Sequence, residues 1–254
     1  MNSLMYRSEY AKMYRAEDEL WWYAGLRDTL KYCLVKYAPL NASILDAGCG
    51  TGKNMEFFTS LGYTNVQGFD YSADAIEFCR QRGLEQVQLG NIITIDHPND
   101  SFDVISCMDV LGSLEDTDRI LAVNELFRIL KPGGILLCNT ASLEIFRSQH
   151  DDVANIKNRF TRSQFIALFK IENAEILKLS YRVFLLSPLM LLFKLTKRVI
   201  GLFKPDNESR SDQLMFPFGI NWCLLQIQLF ENRLFKRFNF PFGSSIFILI
   251  KKKR

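Results

Sequence analysis

Asp46, Gly48, Cys49, Gly50 and Gly52 stand within one short turn, and Asp70 follows about 20 residues on. A glycine-rich turn between an apolar run (Ile44-Leu45) and a helical stretch from Lys53 brings backbone N–H groups up to a ligand. Glycine allows both the tight bend and the close approach. An aspartate ending the next strand can accept hydrogen bonds from both hydroxyls of a ribose. The spacing here is G-x-G-x-G, without the third glycine of the dinucleotide pattern G-x-G-x-x-G. Asp46 would repel a diphosphate and attract an ammonium group. These residues therefore point to a nucleoside with a cationic amino-acid tail. They disfavour the main alternative, a nicotinamide-dependent oxidoreductase.

The elements that must hold these residues can be read along the chain. Residues 5–37 have a helical pattern with Trp21, Trp22 and Tyr23 at its middle. Apolar runs predict strands at Ile44–Asp46, Val66–Phe69, Gln86–Leu89, Phe102–Met108, Ile135–Cys138, Ile176–Tyr181 and Ser245–Ile250. Helical stretches lie between them: Lys53–Leu61 closed by Gly62, a helix capped by Ser72, and Asp116–Leu130 broken by Lys131-Pro132-Gly133-Gly134. Thr161 and Gln164 have the spacing of a capping box. Alternation of strand and helix predicts an α/β fold: a seven-stranded, mostly parallel sheet with helices on both faces. Residues 182–243 read as a helical insertion before the last strand, two amphipathic helices joined by the polar stretch Pro205–Asp212.

Composition narrows the class. A net charge of +3 on 254 residues is too weak for a nucleic-acid binder. The six cysteines form no C-x-x-C pair and have no histidine cluster, so they read as reduced and buried, with no metal site. No basic-then-apolar signal pattern opens the chain. The apolar run Val183–Phe193 is shorter than the roughly 18–20 residues that span a bilayer. The expectation is a cytoplasmic protein.

The run Ile44-Leu45-Asp46-Ala47-Gly48-Cys49-Gly50-Thr51-Gly52 resembles the first motif of class I S-adenosylmethionine-dependent methyltransferases. Phe69-Asp70, Ser101-Phe102-Asp103-Val104-Ile105 and Leu130-Lys131-Pro132-Gly133-Gly134 resemble the later landmarks of that family, in order over residues 40–181. The resemblance implies a Rossmann-like fold in a single domain. Residues 1–40 would form an N-terminal helical lid, 41–181 the cofactor core, 182–243 the insertion, and 244–254 the last strand and a basic tail. It implies S-adenosyl-L-methionine as cofactor. Gly48, Cys49, Gly50 and Gly52 would meet its methionine part, with Asp46 supporting, and Asp70 and Tyr71 would meet the ribose end. Asn91 and Ile92 would flank the adenine; the family usually has aspartate where Asn91 stands. Met108 would lie near the transferred methyl, and Trp22 would belong to an aromatic wall over the sulfonium.

Many relatives carry a Glu-His pair after the fourth strand, where this chain has Asp109-Val110-Leu111-Gly112. Its two histidines are His97, in a polar turn, and His150. His150, oriented by Asp151, is the candidate general base. Arg27, Arg159 and Tyr181 are candidates for holding an acceptor, the arginines through bidentate contact with an anion. Glu19-Leu20-Trp21-Trp22-Tyr23, His150-Asp151-Asp152-Val153 and Pro241-Phe242-Gly243-Ser244-Ser245 resemble a branch often associated with polysaccharide or specialised-metabolite pathways. The expected activity is methyl transfer to a hydroxyl or carboxylate oxygen of a small molecule, glycan, lipid-linked intermediate or specialised metabolite. A cofactor-binding module without catalysis is the other alternative. The insertion, 182–240, could also make peripheral membrane contact or a homodimer, since Lys194, Lys197 and Arg198 rim its apolar stripe.

Overall fold

The computed structural model describes residues 7–170, 173–193 and 217–253, without the side chain of His150. The predicted linker Pro205–Asp212 and the basic residues Lys194, Lys197, Arg198, Lys204 and Arg254 lie outside the described residues. Seven strands form one sheet: β1 (Ser43–Ala47), β2 (Asn65–Asp70), β3 (Val87–Leu89), β4 (Phe102–Met108), β5 (Leu130–Ala141), β6 (Ala174–Arg182) and β7 (Ser245–Lys252). Their order is β3-β2-β1-β4-β5-β7-β6, and only β7 runs against its neighbours. Every residue of β1 is buried, as are the first six of β7, which is why both strands read as nearly unbroken apolar runs. The order reverses between β1 and β4, and loops leaving the carboxyl ends of these two strands diverge to leave a crevice.

The helices are α1 (Arg7–Glu19), α2 (Trp21–Tyr37), α3 (Lys53–Ser60), α4 (Ala73–Gln81), α5 (Asp116–Ile129), α6 (Gln149–Val153), α7 (Arg162–Leu168), the described part of α8 (187–193) and α9 (Phe218–Phe235). They cover the sheet on both faces. The predicted caps hold: Ser72 accepts from the Ala75 N–H, and the Thr161–Gln164 box is reciprocal.

Two expectations are corrected. The helical stretch 5–37 is two helices, because Leu20 adopts an extended conformation (φ −74°, ψ 135°). Lys131–Gly134 does not separate helix from strand, because β5 already pairs at Leu130 opposite Phe102. The irregularity between Phe102 and Val104 absorbs the turn residues. This explains two landmarks of the sequence. Asp103 Oδ2 accepts from the Ser43 N–H at 2.8 Å and from Lys131 Nζ at 2.9 Å, so the three central strands are clamped at the end away from the crevice.

The insertion packs α9 against α2. Asn232 Nδ2 donates to the Gly25 carbonyl at 2.8 Å, and Asn221 bridges the α1–α2 break through the Trp21 N–H and the Glu19 carbonyl. A Cβ at Gly25 would stand 2.4 Å from Gln228 Cγ, so glycine sets the closeness of the two helices. Phe235 of α9 meets Phe247 of β7 edge-on at 5.7 Å. Phe247→Ala, a fully buried truncation, should therefore cost about 3–5 kcal/mol in urea unfolding.

Candidate active site

The glycine turn is stitched to the end of β2. The N–H groups of Gly48 and Cys49 both donate to the Phe69 carbonyl at 2.9 Å, and the Gly50 N–H donates to Asp70 Oδ2 at 2.9 Å. Gly48, Gly50 and Gly52 all have positive φ (78°, 55° and 85°), which a side chain strains. Space excludes one as well, since a Cβ at Gly48 would lie 2.3 Å from Val110 Cγ2 and one at Gly52 2.4 Å from Leu84 Cδ1. Cys49 is buried behind the turn with its sulfur 3.9 Å from that of Cys79.

Asp46 ends this cradle from below. Its side chain is buried and its Oδ2 has no partner among the described residues. Burial first, with the nearby carboxylates of Glu17 and Asp70 adding to it, pushes its carboxyl up to about 7. A buried carboxyl oxygen without a donor is costly, and an ammonium group satisfies it. Asp70 accepts from the Gly50 and Ser72 N–H groups; burial raises its carboxyl while these bonds oppose the shift. Its oxygens keep lone pairs for ribose hydroxyls. Tyr71 beside it is exposed, a free aromatic face. Asn91 turns its Oδ1 back onto the Ile93 N–H at 3.1 Å, and Ile92 is buried next to it. The turn, Asp46 and Asp70 thus fit adenosine carrying an amino-acid arm.

Helix α1, which supplied no candidate residue, covers the cradle. Tyr10, Met13, Tyr14 and Glu17 fall at i, i+3, i+4 and i+7, one face of the helix. Met13 Cε would lie 2.9 Å from a Cβ at Gly50, and the Thr51 hydroxyl donates to Glu17. Burial raises the Glu17 carboxyl to about 7, and raises Tyr10, close to Asp70, to about 12. Arg82 fastens the helix by stacking 4.0 Å over the Tyr14 ring and donating to the carbonyls of Thr51 and Tyr14.

At the tip of β4, Met108 is buried in the core and Asp109 follows with φ 61°. A non-glycine residue in that region is strained, a feature that concentrates at functional sites. Asp109 Oδ1 accepts from Asn139 Nδ2 at 3.0 Å, and its N–H donates to the Asn139 carbonyl at 2.8 Å. Burial pushes this carboxyl up to about 7, against the pull of Asn139 and of the Arg182 and Arg159 charges. Val110, the next residue, rests against Gly48, so Asp109 stands beside the cradle.

Residues 45–138 match the family model described as a methyltransferase domain. Residues 45–138 thus form a methyltransferase domain of the S-adenosylmethionine-dependent kind. Over 141 residues it is 28% identical to a probable S-adenosylmethionine-dependent methyltransferase of Mycolicibacterium smegmatis, covering 55% of this chain and 52% of that one. Over 98 residues it is 35% identical to a malonyl-[acyl-carrier protein] O-methyltransferase of Yersinia pestis, covering 38% and 36% of the two chains. The matched part is thus about half or less of these relatives' length. A methyltransferase from Thermotoga maritima, described as a possible histamine N-methyltransferase, shares the fold with a TM-score of 0.57 at 17% identity, over 97% of this chain and 96% of that one.

Away from the cradle, several residues expected to bind an acceptor have other work. Asp151 is fully buried and paired with Arg159, which reaches its Oδ1 at 2.8 Å from Nη2 and its Oδ2 at 2.5 Å from Nε. Arg159 also donates to the carbonyls of Ser142 and Ser244. Both side chains are consumed in tying the loop after β5 to the entry of β7, so neither is free for a proton or an acceptor. The side chain of His150 lies outside the described residues. Arg27 is buried and donates to the Glu17 carbonyl, which anchors α1. The Tyr181 hydroxyl is buried and accepts from the Arg162 N–H at the start of α7. Trp22 meets Tyr23 edge-on at 4.9 Å and packs against the main core and the buried cluster of Trp21, Val183 and Leu186. The wall over the cradle is therefore α1. His97 lies edge-on against Phe102, at the end of β4 away from the crevice, and burial lowers its pKa.

Two outcomes follow. Affinity for S-adenosylmethionine should fall as pH drops through about 7, because Asp46 must be ionised to face an ammonium; calorimetry on Asp46→Asn should show weaker binding without that pH dependence. Asp151→Ala, which strands a buried guanidinium, should cost about 3–5 kcal/mol in urea unfolding.

Proposed function

We propose that the protein transfers the methyl group of S-adenosylmethionine to an oxygen of its acceptor, a hydroxyl or carboxylate on a small molecule, glycan, lipid-linked intermediate or specialised metabolite. One observation carries the hydroxyl reading: Asp109 places a carboxyl, pushed up to about 7, at the tip of β4 beside the glycine turn. A base near neutral pKa is the right strength to take a hydroxyl proton as the oxygen attacks. The bound cofactor supplies a methyl group already activated on a sulfonium. Asp109 accepts the proton, and Asn139 holds the carboxylate in place.

The acceptor is further suggested by Arg182. It is 1% exposed, its Nη1 reaches Asn139 Oδ1 only at 3.4 Å, and its Nε has no partner among the described residues. Burial lowers its pKa to about 10. A guanidinium so poorly satisfied favours an acceptor that brings a negative or strongly polar group to the end of β6. The relative named for methylating malonyl-[acyl-carrier protein] acts on oxygen, in keeping with this reading.

Asp109→Asn tests it. With hydroxylated acceptors, kcat should fall about 10²–10⁴-fold, and the rise in rate through pH 7 should vanish. With carboxylate acceptors, which need no base, the rate should hardly change. Full activity of the variant on a hydroxyl acceptor would exclude Asp109 as the base.

A further inference from the structure

A second cavity lies far from the crevice. It has a volume of about 180 Å³ and is walled by Cys33, Lys36 and Tyr37 at the end of α2, Leu177 and Lys178 midway along β6, and Lys236 and Arg237 just after α9, with Leu249, Tyr32 and Asn239. Lys178 pairs with Leu249 midway along β6 and β7, while α2 ends at Tyr37, shortly before β1 begins at Ser43. That places the cavity toward the end of the sheet opposite the glycine turn, on the edge formed by β6.

Its lining has four cationic groups and no acid. Ion pairs are plentiful elsewhere in the protein, yet no carboxylate among the described residues lies within 4.0 Å of Lys36, Lys178, Lys236 or Arg237. Instead the ammonium groups crowd onto rings. Lys36 and Lys236 both sit over Tyr32, at 5.6 and 5.2 Å, and Lys36 also lies 5.0 Å from the centre of Tyr37. Two like charges on one ring repel. Lys178 is half-buried; its Nζ donates to the Phe238 carbonyl at 2.9 Å and lies over Phe235 at 4.8 Å. Burial, and then the charge of Lys36, lower its pKa. Such a group gains directly from an anion placed among the lysines. Tyr32, Tyr37 and Asn239 add side-chain donors suited to phosphate oxygens.

We propose that this cavity is an anion site for a phosphate or diphosphate group, separate from the methyl-transfer crevice, held by Lys36, Lys178, Lys236 and Arg237. The group has two sources: a soluble phosphorylated compound, or the headgroup of an anionic lipid. Phe238, 59% exposed, directly follows two of the four cations, so a lipid surface presents both the charge and the apolar layer that this rim matches.

The test uses the full chain and the double variant Lys36→Gln/Lys236→Gln, whose two lysines are exposed, with Lys12→Gln on α1 as a charge-matched control. One arm titrates inorganic phosphate and diphosphate by calorimetry. The other sediments the protein with vesicles of phosphatidylcholine, with and without phosphatidic acid. Saturable binding is expected in at least one arm, weakened about tenfold or more by the double change and unaffected by Lys12→Gln. Binding of diphosphate alone assigns a soluble ligand, and retention that requires phosphatidic acid assigns a lipid headgroup. Absence of saturable binding in both arms, or equal losses in the double variant and the control, overturns the site. S-adenosylmethionine affinity should be the same in all three proteins, which keeps this outcome independent of the methyl-transfer reading.

Discussion

Three consecutive backbone N–H groups, those of Gly48, Cys49 and Gly50, are spent on the last two residues of β2. This attachment bends the chain sharply away from β1 and holds the turn open toward the crevice between β1 and β4. It also brings two carboxyls, the buried Asp46 and the half-buried Asp70, under one small surface. Their desolvation is unfavourable for the empty protein and favourable for a ligand with an ammonium at one end and a ribose at the other. The glycines are required by the same bend, since each has positive φ and little room for a Cβ.

Energetic strain recurs where the chemistry is placed. Asp109 has a left-handed backbone and a half-buried carboxyl; among the described residues, Asp46 has a carboxyl oxygen without a donor and Arg182 a guanidinium nitrogen without an acceptor. All lie at or near the carboxyl ends of their strands. The opposite end of the sheet is satisfied by comparison: Asp103 is bound by Ser43 and Lys131, and Lys252 Nζ donates to Asp100 and to the carbonyls of Phe127 and Leu130. A well-satisfied clamp at one end lets the other end keep unsatisfied groups for ligands.

The cofactor half was legible in the sequence because its determinants are local. Turn glycines, an acid before them and an acid at the next strand's end keep their spacing in any sheet of this topology. The acceptor half was not. Arg159 and Asp151 have the residue types of an anion clamp and its partner, but they satisfy each other, because the loop after β5 folds back onto the entry of β7. Asp109 was passed over as the site of a missing histidine, since no sequence signal states that a residue will take a positive φ beside the cradle. A helical lid over residues 1–40 was expected, but with Trp22 as its aromatic wall; that the i, i+3, i+4, i+7 face of α1 does the covering was not visible.

The sequence by itself determined the alternation of seven strands with helices, the cradle from Asp46 to Asp70 and the cofactor it suits, for periodicity and turn chemistry act between near neighbours in the chain. Only the tertiary structure decided which polar side chains remain unsatisfied. That depends on partners far away in sequence: Glu17 over Thr51, Asn139 beside Asp109, and three basic segments meeting around Tyr32. Burial and pairing of charge are properties of the packed assembly, and no single segment of the chain carries them.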